Sequence, residues 1–232
     1  MENSVTKNLI MSFDKSLGYE VAECLSEYAE IGLDAVLEDE VLKEVPFLGT
    51  VVSVFKIGNT IRERSHLKKL ILFLDTIDKE ILDKEKYQFY REKIQDNLTF
   101  REKEIEYIIL LLDRLFEENK AKNVGRLYLS YLDKVITWRE FQSITSLLDR
   151  IIPQDIEILQ ELRDLNKDFF TKESTNSSLQ RLIGAGIVAN ISFGFSLNEN
   201  SKLYFSSEKI QNELIDCKLT DIGKLMIKGI FR

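Results

Sequence analysis

Apolar residues recur at intervals of three and four along most of the chain, the spacing of one buried stripe on a helix. Between Lys15 and Lys43 they fall at Leu17, Val21, Leu25, Tyr28, Ala29, Gly32, Leu33, Val36, Leu37 and Val41. This predicts one long amphipathic helix that leaves Glu38, Asp39 and Glu40 in water. Pro46 suits the first turn of a helix, where a missing amide costs nothing. From Phe47 the run FLGTVVSVFKIGNTI carries one charge, Lys56. Its length falls short of the roughly 20 apolar residues that cross a bilayer, so a buried central helix is expected, with an interfacial segment of a membrane-acting protein as the alternative.

Arg62, Arg64, His66, Lys68 and Lys69 follow at once, opposed only by Glu63, before the apolar run from Leu70 to Leu74. Such a cluster can meet anionic groups, or it can face water and pair with acids on a neighbouring helix. Three further helices are predicted. One spans Lys84 to Asn97, with Tyr87, Tyr90 and Ile94 on one side. The next puts Ile105, Ile108, Ile109, Leu112, Leu115 and Phe116 on a strong apolar face, and the third lies around Gly125 to Val135. Thr137, with Glu140 three residues on, has the pattern of a capping box for a helix carrying Phe141, Ile144, Leu147 and Leu148.

The pattern changes in the last third. Pro153 opens a helix expected to run through Phe170, and the polar segment from Thr171 to Ser178 predicts a loop. A short helix follows in SLQRLIGAGIV, with Gly184 and Gly186 at helix-terminating positions that need positive φ. Runs from Ile187 to Phe195 and from Lys202 to Ser206, parted by a turn at Asn198 to Ser201, predict a β-hairpin. Thr220 is the expected N-cap of a closing helix from Lys224 to Phe231.

Composition sharpens this picture. The 232 residues are 44% apolar and 31% charged, with only 10 Gly and 2 Pro, which favours long helices around a packed core. Cys24 and Cys217 lie almost at opposite ends, as buried thiols of a reducing compartment would, and no secretory signal or spanning segment is evident, so a cytoplasmic location is expected. The net charge of -7 repels phosphate backbones. Between Ser177 and Arg232 seven Lys or Arg outnumber five Asp or Glu, a net of +2 that leaves -9 for the remainder.

Chemistry is hard to assemble from these residues. The single histidine, His66, cannot build a His-based metal site, and two distant cysteines cannot complete a zinc tetrad. Acid clusters such as Glu38 to Glu44, or Asp155 and Glu157, are what 39 acids produce by coincidence. No phosphate loop, dinucleotide fingerprint or nucleophile elbow occurs. The expectation is a non-enzymatic protein that needs no metal or cofactor.

The end of the chain nevertheless has a recognisable order. A short helix ending in Leu182-Ile183-Gly184-Ala185-Gly186-Ile187-Val188, a hairpin, and then Leu219-Thr220-Asp221-Ile222-Gly223-Lys224 resembles the end of a winged-helix domain. Upstream, VPFLGTVVSVFKIGNTIRERSHLKKLILFL is similar to a group of uncharacterised bacterial helical proteins and, more remotely, to Abi-alpha abortive-infection proteins. The resemblance implies a setting in phage defence or mobile elements. The fold expected is mainly α, a multi-helix array over residues 1–150 followed by a small winged-helix-like α+β module over residues 151–232.

Three functions compete. In the first, the helical body docks another protein, with Arg62, Arg64, Lys68 and Lys69 as interaction candidates. In the second, the terminal module is a DNA-binding regulator, with Gln180 and Arg181 reaching bases and Lys202 touching phosphate. The third is a membrane-acting effector using residues 47–74. The protein-interaction reading leads, because a reading helix with one arginine supplies few phosphate contacts.

Overall fold

The computed structural model describes residues 2–17, 19–30, 44–57, 60–80, 84–95, 98–191 and 214–232. These form two compact units, residues 1–135 and 136–232. The protein is mainly helical, with one small three-stranded antiparallel sheet.

The described part of the first unit comprises α1 (Glu2–Lys15), α2 (Tyr19–Glu30), α3 (Pro46–Phe55), α4 (Ile61–Glu80), α5 (Lys84–Gln95), α6 (Leu98–Arg114) and α7 (Asn119–Leu132). The single long helix expected from Lys15 is broken, because α1 ends there and α2 starts at Tyr19. Ser16 lies at the break. Its buried hydroxyl accepts a 2.8 Å hydrogen bond from the Phe47 amide, one of the donors that the start of α3 leaves without a helical partner. The run from Gly32 to Val41, with Glu38, Asp39 and Glu40, lies outside the described residues, as do the side chains of Tyr87 and Ile94.

The apolar run after Pro46 is not the central helix. α3 buries only Phe47, Leu48 and Val51 and leaves Ser53 exposed. The centre is α4, in which every residue from His66 to Asp78 is buried while α2, α3, α6 and α7 pack around it. A helix buried on all faces normally carries few charges. α4 tolerates them because they are answered locally: the Ser26 hydroxyl donates to Asp75 at 2.9 Å, and Lys79 pairs with the same carboxylate at 2.8 Å.

Beside α4 sits an aromatic cluster that the sequence pattern did not reveal. Phe13 of α1 meets Phe47 edge-on at 5.2 Å, and it lies 6.2 Å from Phe73 and 6.3 Å from Tyr128. Contacts of this kind add about 0.5–1.5 kcal/mol each beyond the area they bury. They tie α1, α3, α4 and α7 into one core.

The second unit runs α8 (Trp138–Leu148), α9 (Pro153–Asp164), β1 (Phe169–Glu173), α10 (Ser177–Gly184), β2 (Val188–Asn190), β3 (Leu214–Leu219) and α11 (Asp221–Ile230). Its boundary falls before α8 and not near residue 150, since the buried face of α8, made of Phe141, Ile144 and Leu148, packs on α11. The capping box forms as expected: Thr137 accepts from the Glu140 amide, and the Glu140 carboxylate accepts from the Thr137 amide at 2.7 Å.

The helix opened by Pro153 stops at Asp164, short of Phe170, because Asn166 turns the chain through a positive φ of 48°. The expected loop after it begins with three residues of β1. β1 and β2 both pair antiparallel with β3, in the order β1-β3-β2, with Phe169 opposite Lys218 and Thr171 opposite Asp216. β2 falls inside the first run of the expected hairpin, while the remainder of that hairpin, from Ser192, lies outside the described residues.

Gly186 takes a positive φ of 75°, whereas Gly184 is an ordinary helical residue at the end of α10. Gly223 answers a different need. A Cβ there would stand 2.3 Å from the Ile187 carbonyl oxygen, so the first turn of α11 can lie against the start of β2 only without a side chain.

Candidate interaction sites

α4 and α6 run antiparallel, and the basic cluster at the start of α4 converges on the last turn of α6. Arg62 pairs with the Asp113 carboxylate, the His66 ring lies 3.0 Å from the Ile109 carbonyl oxygen, and the Lys69 ammonium donates to the Leu115 carbonyl at 2.6 Å. Helix ends leave carbonyls without intrahelical partners and carry the negative end of the backbone dipole, which accounts for the Lys69 contact, whereas Ile109 lies inside α6 and offers His66 a second lone pair of its carbonyl. A carbonyl can only accept, so Nε2 of His66 carries the proton in that bond. Lys68 turns the other way and donates at 2.9 Å to the Tyr28 carbonyl near the end of α2.

These contacts correct the list of surface candidates. Lys68 and Lys69 are 5% and 3% exposed, so they fasten helix ends and are not available to a partner. Burial pushes both ammonium groups below their ordinary value, against the pull of nearby acids such as Glu118. Burial likewise pushes the His66 imidazole down, opposed by the Asp113 charge and the Ile109 bond. Arg64 is half-buried, and Arg62 alone of the four is largely in solvent, its side chain 76% exposed.

Around Arg62 lies something the residue pattern had concealed. Phe116, expected on the apolar face of its helix, is 93% exposed, because α6 ends at Arg114. Leu115 turns inward, its carbonyl held by Lys69, and the next side chain swings out. Ile61 is 79% exposed at the start of α4, and Leu110 is 52% exposed one turn before Asp113. Among the described residues of the first unit these are the three most exposed large apolar side chains; Ile61 adjoins Arg62 in the chain, and Leu110 and Phe116 stand three residues to either side of Asp113. An arginine among exposed apolar side chains is a composition typical of binding hot spots.

Two other features of the first unit were not legible beforehand. An open groove of about 570 Å³ lies between α1 and α3, with Asn8, Met11, Lys15, Gly49, Thr50 and Ser53 in its walls. Glu104, 1% exposed, accepts from the Tyr131 hydroxyl and from Arg101, whose guanidinium also donates to the Tyr131 oxygen at 2.9 Å. Burial raises the Glu104 carboxyl above its ordinary value despite these partners. The Arg101 and Glu104 spacing is visible in the sequence, but Tyr131 arrives from another helix.

In the second unit the residues proposed to read bases are otherwise engaged. Arg181 grips Asp155 with its guanidinium at 2.8 to 3.2 Å, and the fully buried Asp155 also accepts from the Ile152 amide. Gln180 is exposed and donates to the Ser174 carbonyl, while Lys202 lies outside the described residues. Asp155, weighed earlier as half of an acid cluster with Glu157, is the anchor of an ion pair.

Among the described residues no three His, Cys, Asp or Glu side chains gather as metal ligands, and no helix is long and apolar enough to cross a membrane. Comparison with protein-family models, curated proteins and solved structures gives no match for this chain.

Proposed function

We propose that the chain is a non-enzymatic protein-interaction factor whose helical unit docks its partner at the shared end of α4 and α6. One observation carries this reading: Ile61, Leu110 and Phe116, all exposed, lie within three residues of Arg62 or Asp113, which pair with each other. A large apolar side chain left in water gives up about 1.5–3 kcal/mol of burial. Three such side chains near the two members of one ion pair in the chain suit a binding surface. The resemblance to abortive-infection proteins adds a setting, phage defence, to the same reading.

The test is an affinity capture from the native host, with and without nuclease, comparing the wild type with Phe116→Asp and Ile61→Asp. A stoichiometric protein that survives nuclease and is lost from both variants supports the reading. Capture indifferent to both substitutions removes it. Charge reversal at Lys68 or Lys69 is not a useful probe, since it would place a carboxylate against helix-end carbonyls and unfold the unit.

The DNA-binding alternative draws support from the second unit. A strand, a helix and two further strands in the order β1-β3-β2, followed by a closing helix, is an arrangement compatible with a winged-helix-like module. Its engaged Arg181 counts against base reading, so within this proposal the module is a protein-contacting one. Recovery of nucleic acid alone in the capture, lost on nuclease treatment, would reverse that order.

A further inference from the structure

We propose that β1 is a dimerisation strand: its open edge pairs antiparallel with β1 of a second copy of this chain, in a register centred on Thr171. The inference concerns the second unit and is independent of the docking end of α4 and α6.

The ladder fixes which residues can take part. Along an antiparallel strand, successive residues turn their amide and carbonyl alternately toward the neighbouring strand and away from it. The Leu219 amide donates to the Asp168 carbonyl at 2.8 Å, so in the β1–β3 register Phe170 and Lys172 face β3. Phe169, Thr171 and Glu173 therefore turn their backbone groups outward. The Ile191 amide, donating at 2.8 Å to the carbonyl of Asp216, gives the same phase, because Asp216 stands opposite Thr171 and faces β2. β1 ends the sheet order β1-β3-β2, and among the described residues its outward groups receive one bond, from the Asn176 amide to the Glu173 carbonyl. That oxygen keeps a second lone pair. An edge of this kind is a template for another strand.

The register names the occupant. An added antiparallel strand must present outward groups at every second position, and β1 itself presents such a set. Centred on Thr171, all three positions pair: Thr171 with Thr171, and Phe169 with Glu173 twice over. Every charge of the strand is then placed without opposition. Glu173 of the second copy comes beside Phe169, whose ring carries the Lys218 ammonium 5.3 Å from its centroid, so the aromatic is flanked by a cation and an anion. Lys172, bound to Glu161 at 3.0 Å, comes opposite Phe170 of the second copy. Thr171 meets its own kind, a favourable cross-strand pair. Sliding the register by two residues loses one of the three pairings and sets either Lys172 against Lys172 or Phe170 against Phe170. The self-paired arrangement joins two three-stranded sheets into one and gives Phe169, 58% exposed, a neighbour on its open side.

Sedimentation velocity of the full chain over a concentration series tests this. The mass should rise from that of one 27.0 kDa chain toward twice that value. Thr171→Pro removes an outward amide and leaves the β3 ladder intact, so it should weaken association at least about tenfold while the circular dichroism stays that of wild type. Thr171→Val keeps the amide and gives up only the hydroxyl bond to Asp216, so it should associate as wild type does. In the proposed register the two Thr171 Cα atoms lie about 5.5 Å apart, within reach of a disulfide. Thr171→Cys treated with oxidised glutathione should yield a peptide linked through residue 171 of two copies, read by mass spectrometry. Gln180→Cys, exposed on α10, should yield no such link.

A single-chain mass at every concentration overturns the proposal, as does a dimer that Thr171→Pro leaves intact. If Thr171→Pro loses its fold, the Thr171→Cys link decides, and its absence overturns the dimer. A chain that stays monomeric but captures another protein through this edge, with the capture lost in Thr171→Pro, overturns it too, because the edge then belongs to a different strand. The docking end is judged separately, by Phe116→Asp and Ile61→Asp.

Discussion

The Lys69 ammonium lies 2.6 Å from the Leu115 carbonyl oxygen, joining the middle of α4 to the residue just beyond α6 from a position that is 3% exposed. Losing that donor strands a buried acceptor, which costs about 1–3 kcal/mol. Lys69→Met should therefore lower stability by about 2 kcal/mol. Arg62→Met, about two turns earlier on the same helix but largely in solvent, should cost far less. Urea unfolding of the two variants makes the comparison, and equal small losses would show that Lys69 is not a fastening.

His66 should give the helical unit a dependence on mild acid. Burial lowers its pKa from the ordinary 6.5, so the folded protein resists the proton that the unfolded chain accepts. Its contribution is complete above 6.5 and declines as the pH falls below that value. His66→Gln cannot take the proton, so the difference in unfolding free energy between wild type and variant should shrink with acidification through this range. A constant difference would mean that the imidazole keeps its ordinary affinity for protons.

Arg181 is expected to matter for folding and not for base recognition. Removing it leaves the fully buried Asp155 with its amide partner but no counter-charge. Arg181→Gln should lower stability, though by less than breaking a wholly buried pair, because the Arg181 side chain is 36% exposed. Adding Asp155→Asn should restore part of the loss, the signature of coupled residues. Retention on duplex DNA at low salt should not change with Arg181→Gln. A selective loss of retention with unaltered stability would reverse the assignment.

Gly223→Ala should destabilise the second unit by about 1–3 kcal/mol, since the new methyl group meets the Ile187 carbonyl 2.3 Å away. The Thr220 side chain accepts from the Gly223 amide at 3.1 Å, and Thr220 donates to the Ile187 carbonyl at 3.0 Å, so a shift of α11 would strain its cap as well. Thermal unfolding checks this. A midpoint equal to wild type would mean that the helix can move aside freely.

Local signals in the sequence carried the helices well. Periodicity located α6 and α8, and the caps at Thr137 and Thr220 and the helix start at Pro46 were readable from short-range chemistry. The strands were harder. The residues of β1 divide between an expected helix, which takes in Phe169 and Phe170, and an expected loop, which takes in Thr171 to Glu173, and only pairing with β3, more than forty residues on, makes them one strand. The candidate surface was half legible. Arg62 stood out as a cation, but the exposure of Phe116 depends on where α6 stops, at an end whose next carbonyl, that of Leu115, is held by Lys69 of another helix. Charged residues look external in a sequence, and Lys68 and Lys69 are internal because helix ends happen to need them.

The aromatic cluster around Phe13 sets a schedule for biosynthesis. Its members come from α1 and α7, so the ring of Phe13 emerges from the ribosome more than a hundred residues before its partner Tyr128. At about 5–20 residues per second, the apolar faces of α1, α3 and α4 stay open for several seconds before α7 can close over them. The core of the first unit thus cannot close until α7 has been made, whatever order its earlier helices form in.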